Sequence, residues 1–130
     1  MKVPCEVIVG YVFPFFRREL AVEMVALGAS QADIAKIFGQ TDAAISQYIK
    51  GKRGCCDLIE KSDKRPMMME AIRESARSLA GCNSSFQYEM CRLCNVAAEI
   101  GLLAELYETI IGEQLILCPI FGRCMGDITQ

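Results

Sequence analysis

Two groups of residues in this sequence are equipped for chemistry, a set of thiols and a short basic stretch that follows a patterned pair of helices. The chain of 130 residues holds eight cysteines and no histidine. Cys91 and Cys94, in the run MCRLC, stand three apart, which puts both thiols on one face of a helix. Cys118 precedes Pro119, where proline fixes the chain and removes an N–H, and Cys124 lies six residues further on. Without histidine, zinc sites that use imidazole and Rieske-type centres are excluded, leaving all-thiolate zinc or an iron–sulfur cluster. A closed zinc site of four cysteines usually draws on two tight CxxC knuckles, and only one is present. The expectation is therefore a 2Fe–2S or 4Fe–4S cluster held by Cys91, Cys94, Cys118 and Cys124. Cys82 is the alternative fourth ligand, and structural zinc is the alternative metal. The competing reading is that the thiols pack as small apolar groups.

The second group lies between Gln31 and Arg53. Ser30 has the hydroxyl of an N-cap, and Asp33 places negative charge in the first turn of the helix it opens. Ile34, Ala35, Ile37 and Phe38 form an apolar stripe, and Gly39 supplies a residue that tolerates positive φ where the helix must stop. Thr41 or Asp42 caps a second helix through Ile49, with Ile45 and Ile49 spaced to lock it onto the first. This is the pattern a helix-turn-helix requires: a small residue (Ala35) at a close crossing, a left-handed turn residue, and apolar locks on both helices. On the outward side of the second helix stand Asp42, Ala43, Ser46 and Gln47. Glutamine can bond adenine in a bidentate manner, and Ser or Ala can meet other base edges or a thymine methyl. Gln31 and Thr41 stand at the two helix starts, Gln31 placed to meet a phosphate together with backbone N–H groups. Lys50, Lys52 and Arg53 would neutralise phosphates without reading sequence. A helical hairpin used only for protein contacts is the plainer alternative.

The segment SQADIAKIFGQTDAAISQYIKGKRG, residues 30–54, resembles the Cro/cI-like helix-turn-helix family. Together with the opening KVPCEVIVGYVFPFFRREL it is similar to a group of archaeal transcriptional regulators of about this length. Members of that group pair such an opening with a cysteine-rich C-terminal part containing a CxxC. The resemblance covers residues 2–54 well and the rest more loosely. It implies sequence-specific binding of double-stranded DNA by a homodimer.

The elements that must position these residues read as helices throughout. A short helix should kink or break near Pro14 and resume from Phe15 to Leu27, ending at Gly28. Lys61 to Pro66 is a charged stretch suited to a linker. Pro66 then opens a helix over Met67 to Ala80, which Gly81 ends. Ser84 with Gln87 makes a capping box for a helix from Phe86 to about Ile111, with Gly101 as its weak point. Leu115 to Leu117 reads as extended, and Cys118 to Gln130 as a loop. The runs Met67–Met69 and Phe13, Phe15 and Phe16 read as core or dimer-interface residues rather than ligand sites. Cys5 reads as core or interface, and the vicinal Cys55 and Cys56 as structural or neutral.

Composition agrees with this reading. Residues 1–65 carry ten Lys or Arg against eight acids, whereas residues 66–130 carry four Arg against eight acids. A weakly basic half joined to an acidic one suits a DNA-binding module attached to a part that does not touch DNA. No run approaches the roughly 18 apolar residues of a membrane span, and no secretory leader is visible, so a cytoplasmic protein without a membrane partner is expected. The expected fold class is all-α: a helix-turn-helix domain over 1–60 and a helical, cysteine-rich, cluster-binding and dimerising part over 66–130. The expected function is a dimeric transcription regulator whose cluster senses redox or iron state by biasing the spacing of the two recognition helices. The same regulator with structural zinc and a different signal is the alternative. An enzyme is not expected. A thiol oxidoreductase fits least, since no histidine is present as base and the CxxC lacks a βαβ setting.

Overall fold

A computed structural model describes residues 4–112, and every regular element in that span is helical. The chain opens with α1 (Pro4–Val7), a π-helical turn over Ile8–Val12, and α2 (Phe13–Ala26). Then come α3 (Gln31–Phe38), α4 (Asp42–Ile49), the single turn α5 (Asp57–Glu60), α6 (Arg65–Ala80), α7 (Phe86–Glu99) and α8 (Leu102–Ile111). The all-α expectation holds for this span. Leu115 to Leu117, Cys118, Cys124 and the rest of the tail lie outside it.

Pro14 does not break the N-terminal helix. Proline has no N–H to donate, and its ring crowds the carbonyl four residues back. Here the preceding turn is widened, and the Phe13 N–H bonds the Ile8 carbonyl five residues earlier. A π turn absorbs the misfit, and α2 begins with Pro14 in its first turn. The helix then runs to Ala26, and the chain reverses through Gly28 at φ 98°. The long helix expected from Phe86 onward is divided at Gly101, whose φ of 85° starts α8 afresh. The N-cap of α7 is Ser85, which accepts from the Tyr88 N–H at 3.1 Å, one residue beyond the expected box.

Helix α2 is the structural centre. It contacts α3, α4, α6 and α7, and Phe15, Phe16, Leu20, Ala21 and Met24 are all fully buried. Met68, Ile72, Ala76 and Leu79 of α6, Leu93 and Ala97 of α7, and Leu102 and Leu106 of α8 join the same apolar cluster. Of the methionine run, Met68 and Met69 are core while Met67 is exposed. The cluster is continuous from Val7 to Tyr107. The charged stretch before α6 is pinned: Ser62 Oγ and Lys64 Nζ both donate to Glu105 Oε2 of α8, at 3.0 and 3.1 Å.

A buried polar knot joins α6 to α7. Ser75 Oγ donates to Glu89 Oε1 at 2.6 Å, and Arg92 Nε donates to the same oxygen at 3.1 Å. Arg92 Nη2 also donates to Ser75 Oγ at 2.6 Å and to the Ala71 carbonyl at 2.7 Å. Glu89 and Ser75 are almost wholly out of water, so each depends on these bonds. Removing the arginine leaves the buried Glu89 carboxylate without an opposite charge, held by the Ser75 hydroxyl. Arg92→Ala should therefore lower the unfolding free energy by about 3 kcal/mol in urea titrations followed by helical circular dichroism.

Glu19 is the other buried carboxylate among the described residues. Arg18 Nη1 meets it at 2.7 Å, and Arg18 and Arg65 in turn reach Glu60 of α5 at 3.7 and 3.1 Å. Burial raises the Glu19 pKa above its ordinary 4.5, with Arg18 opposing part of the rise. A raised carboxyl pKa favours the fold below the unfolded value and disfavours it as pH climbs through the folded one. Glu19→Gln should accordingly unfold at higher urea than the natural protein at pH near 7. The gap should close as the pH falls toward 4.5.

Candidate nucleic-acid interface

Helix α3 starts because Ser30, in extended backbone, accepts the Asp33 N–H on its hydroxyl at 3.1 Å. It stops because Gly39 adopts φ 65°, a left-handed conformation that costs a residue with Cβ about 1 kcal/mol or more. The Gln40 N–H then closes back on the Ala35 carbonyl at 3.0 Å. Thr41 caps α4, accepting the Ala44 N–H at 3.1 Å, which settles the choice between Thr41 and Asp42. Helices α3 and α4 pack on each other and both pack on α2. Ile34, Ala35 and Phe38 from α3 and Ala44, Ile45 and Tyr48 from α4 are buried. Ile37 and Ile49, read as core from spacing, are only half-buried.

The face of α4 turned away from this packing carries the residues singled out above. Thr41, Asp42, Ala43 and Gln47 are exposed and Ser46 is half-exposed. Gln31 is exposed at the start of α3, and Lys50, Lys52 and Arg53 are exposed just beyond α4. All of the expected DNA-contacting residues thus reach solvent along α4, its two ends and the start of α3. Among the described residues no carboxylate pairs with Lys50, Lys52 or Arg53. These cations are available to a partner.

The loop after α4 is more ordered by contacts than its Gly-Lys-Arg-Gly sequence suggests. Gly51 and Gly54 both take positive φ, 76° and 79°. The Gly51 and Lys52 N–H groups bond the Tyr48 and Gln47 carbonyls at 3.1 and 2.9 Å, and the Cys55 thiol donates to the Gly51 carbonyl at 3.1 Å. Gly54 lies against α2, where a Cβ would overlap the Pro14 carbonyl oxygen and come within 2.7 Å of Arg18 Cβ. The Arg53 guanidinium sits over the Tyr48 ring, 5.0 Å from its centroid. Sequence reasoning missed Tyr48 and Gly54. The signal available was an aromatic residue five positions before an arginine, with a second glycine directly after it.

The thiols are placed differently. Cys91 and Cys94 are both buried on α7, Cys94 completely. Burial, with Cys91 and Cys5 nearby, pushes the Cys94 thiol up to about 12, and burial also raises Cys91. Cys82 is exposed in the turn between α6 and α7, with a left-handed φ of 57°. Cys5 is exposed rather than core, Cys55 is exposed, and Cys56 is buried. Cys118 and Cys124 lie outside the described residues. Among those described, no group of three or more Cys, Asp or Glu side chains is arranged to hold a metal ion. Without a metal, the burial of Cys94 favours a protonated thiol that packs as a small apolar group. Of the four expected ligands, only Cys91 and Cys94 lie within the described residues.

Among the described cysteines, alkylation of the native protein with iodoacetamide, mapped by mass spectrometry, should label Cys5, Cys55 and Cys82 before Cys56, Cys91 and Cys94. Cys94 should stay unlabelled until denaturant is added, and early labelling there would contradict its burial.

Helix α7 nevertheless touches the α3–α4 pair. The Phe86 ring, at the first position of α7, stacks on Phe38 of α3 with centroids 4.4 Å apart and planes 25° from parallel. Among the described residues no helix is long and apolar enough to cross a membrane. Comparison with protein-family models, with curated proteins and with solved structures found no match to this chain.

Proposed function

We propose that this protein is a DNA-binding transcription regulator in which α3, the turn at Gly39 and α4 act as a helix-turn-helix. The observation that carries the reading is the exposed face of α4. It combines base-reading groups, Ala43, Ser46 and Gln47, with three unpaired cations at its C-terminal end, on a helix locked from behind by Ile45 and Tyr48. In this reading α4 enters the major groove and Gln47 reaches a base edge. The capped N-termini of α3 and α4 approach phosphates, and Asp42 serves the first turn of α4 and limits the steps it accepts.

A single module this small binds weakly, and two copies working together are the usual remedy. We take the protein to act as a homodimer whose two α4 helices enter successive major grooves about 34–36 Å apart. No step of this reading passes through a metal or a cluster.

The test is selection of a binding site from random duplexes, followed by titration of the selected duplex over a salt series. Binding should weaken steeply with salt, and Lys52→Ala should flatten the log–log slope by about 1 while weakening all sequences alike. Gln47→Ala should leave the slope intact and cost about 1–3 kcal/mol of preference at one base pair. No sequence preference and no salt dependence would refute the reading. A helical surface serving protein contacts would then be the better description of α4.

A further inference from the structure

We infer that Arg53 is the fixed phosphate contact of this interface, with Tyr48 and Gly54 as the positioning residues that hold it in place. The inference rests on the DNA-binding reading and refines it, since the three cations after α4 are not equivalent.

Lys50 and Lys52 are exposed, and among the described residues neither has an ion pair or a ring contact. Holding such a chain on a phosphate costs up to about 2 kcal/mol in rotamer freedom, so each acts as a mobile point charge. Arg53 is restrained on both sides. Its guanidinium lies 5.0 Å from the centroid of Tyr48, inside the roughly 6 Å reach of a cation–π contact. Tyr48 is itself 1% exposed and cannot swing away.

The backbone that carries Arg53 is fixed as well. Gly54 sits so close to Pro14 and Arg18 that no side chain fits there, and its φ of 79° suits glycine. The N–H groups of Gly51 and Lys52 close onto α4 from the other side. A guanidinium held over a ring by its charge keeps N–H donors free on the side away from the ring. Those donors form the planar fork that meets two phosphate oxygens at once. A lysine at the same place would keep the charge and lose the fork and most of the ring contact. Tyr48 thus links the inside of the α4 packing to the place where the DNA backbone would be gripped. Gly54 sets the distance of that grip from α2.

The experiment uses the full chain and a fluorescein-labelled mixed-sequence duplex of roughly 30 base pairs, titrated by anisotropy across a salt series. Urea midpoints are measured on every variant. Arg53→Lys should bind about tenfold more weakly than the natural protein at a salt slope close to natural, with an unchanged urea midpoint. Lys61→Arg, the same exchange at an exposed position outside the interface, should bind like the natural protein. Tyr48→Phe should retain affinity because the ring remains, and Tyr48→Leu and Gly54→Ala should each show the Arg53→Lys loss. Arg53→Lys is a surface change and reports even if Tyr48→Leu or Gly54→Ala fails to fold. Arg53→Lys binding within about twofold of the natural protein would overturn the inference. So would a folded Tyr48→Leu variant with natural affinity. If the natural protein itself shows no salt-dependent binding to the duplex, it is the DNA-binding reading that has failed.

Discussion

The structure depends on one helix being buried against most of its neighbours. Helix α2 is wall to α3 and α4 on the one hand and to α6 and α7 on the other, so its side chains are chosen for two packings at once. Phe15, Phe16, Leu20 and Met24 are fully enclosed. A stripe wide enough for a single partner could not have supplied this. Such a helix cannot end early, which is why the chain accommodates Pro14 with a wider turn instead of giving up helical structure. The same enclosure traps Glu19, whose carboxylate survives only beside Arg18 and at the expense of a raised pKa.

Everything proposed for the α3–α4 pair is hung on that wall. Gly54 sets the loop after α4 on the first turn of α2, and Tyr48 carries the contact from the interior of the packing to an exposed guanidinium. On the other side, Phe38 meets Phe86 of α7. The Ser75–Glu89–Arg92 knot then binds α7 to α6, and α6 lies on α2. A displacement of α7 therefore meets resistance from two directions, one aromatic and one ionic. Any signal arriving in the C-terminal half has a short packed route to α3.

Local chemistry made much of this legible in the sequence, and long-range packing hid the rest. Ser30, Gly39 and Thr41 announce themselves because caps and left-handed turns are decided within a few residues. The solvent-facing set from Gln31 to Arg53 followed from that, since fixing the helix ends fixes which side chains point outward. Pro14 and the run 61–66 were legible only in part, for a common reason. Proline and clustered charges usually mark breaks and linkers, yet Pro14 is absorbed by a π turn, and Ser62 and Lys64 find their partner in Glu105, far along the chain. Tyr48 was opaque because tyrosine is at home both inside and outside. The cysteines were legible only as far as a shared face: a three-residue spacing declares it, and cannot say whether that face looks at a metal or at the core.

The continuous apolar cluster from Val7 to Tyr107 has a consequence for how such a chain could arise and be reused. Many recognition modules are portable because they finish their own core, so evolution can splice them in front of new partners. Here the ring of Phe38 is covered by a residue forty-eight positions later, and the helix that backs α4 is the same one that backs α6. Cutting after residue 60 would keep α2 but remove Phe86 from Phe38 and α6 from α2. A chimera that borrows residues 1–60 alone would therefore carry the α3–α4 surface and α2 behind it, with the side of α2 that α6 and α7 cover laid bare to water.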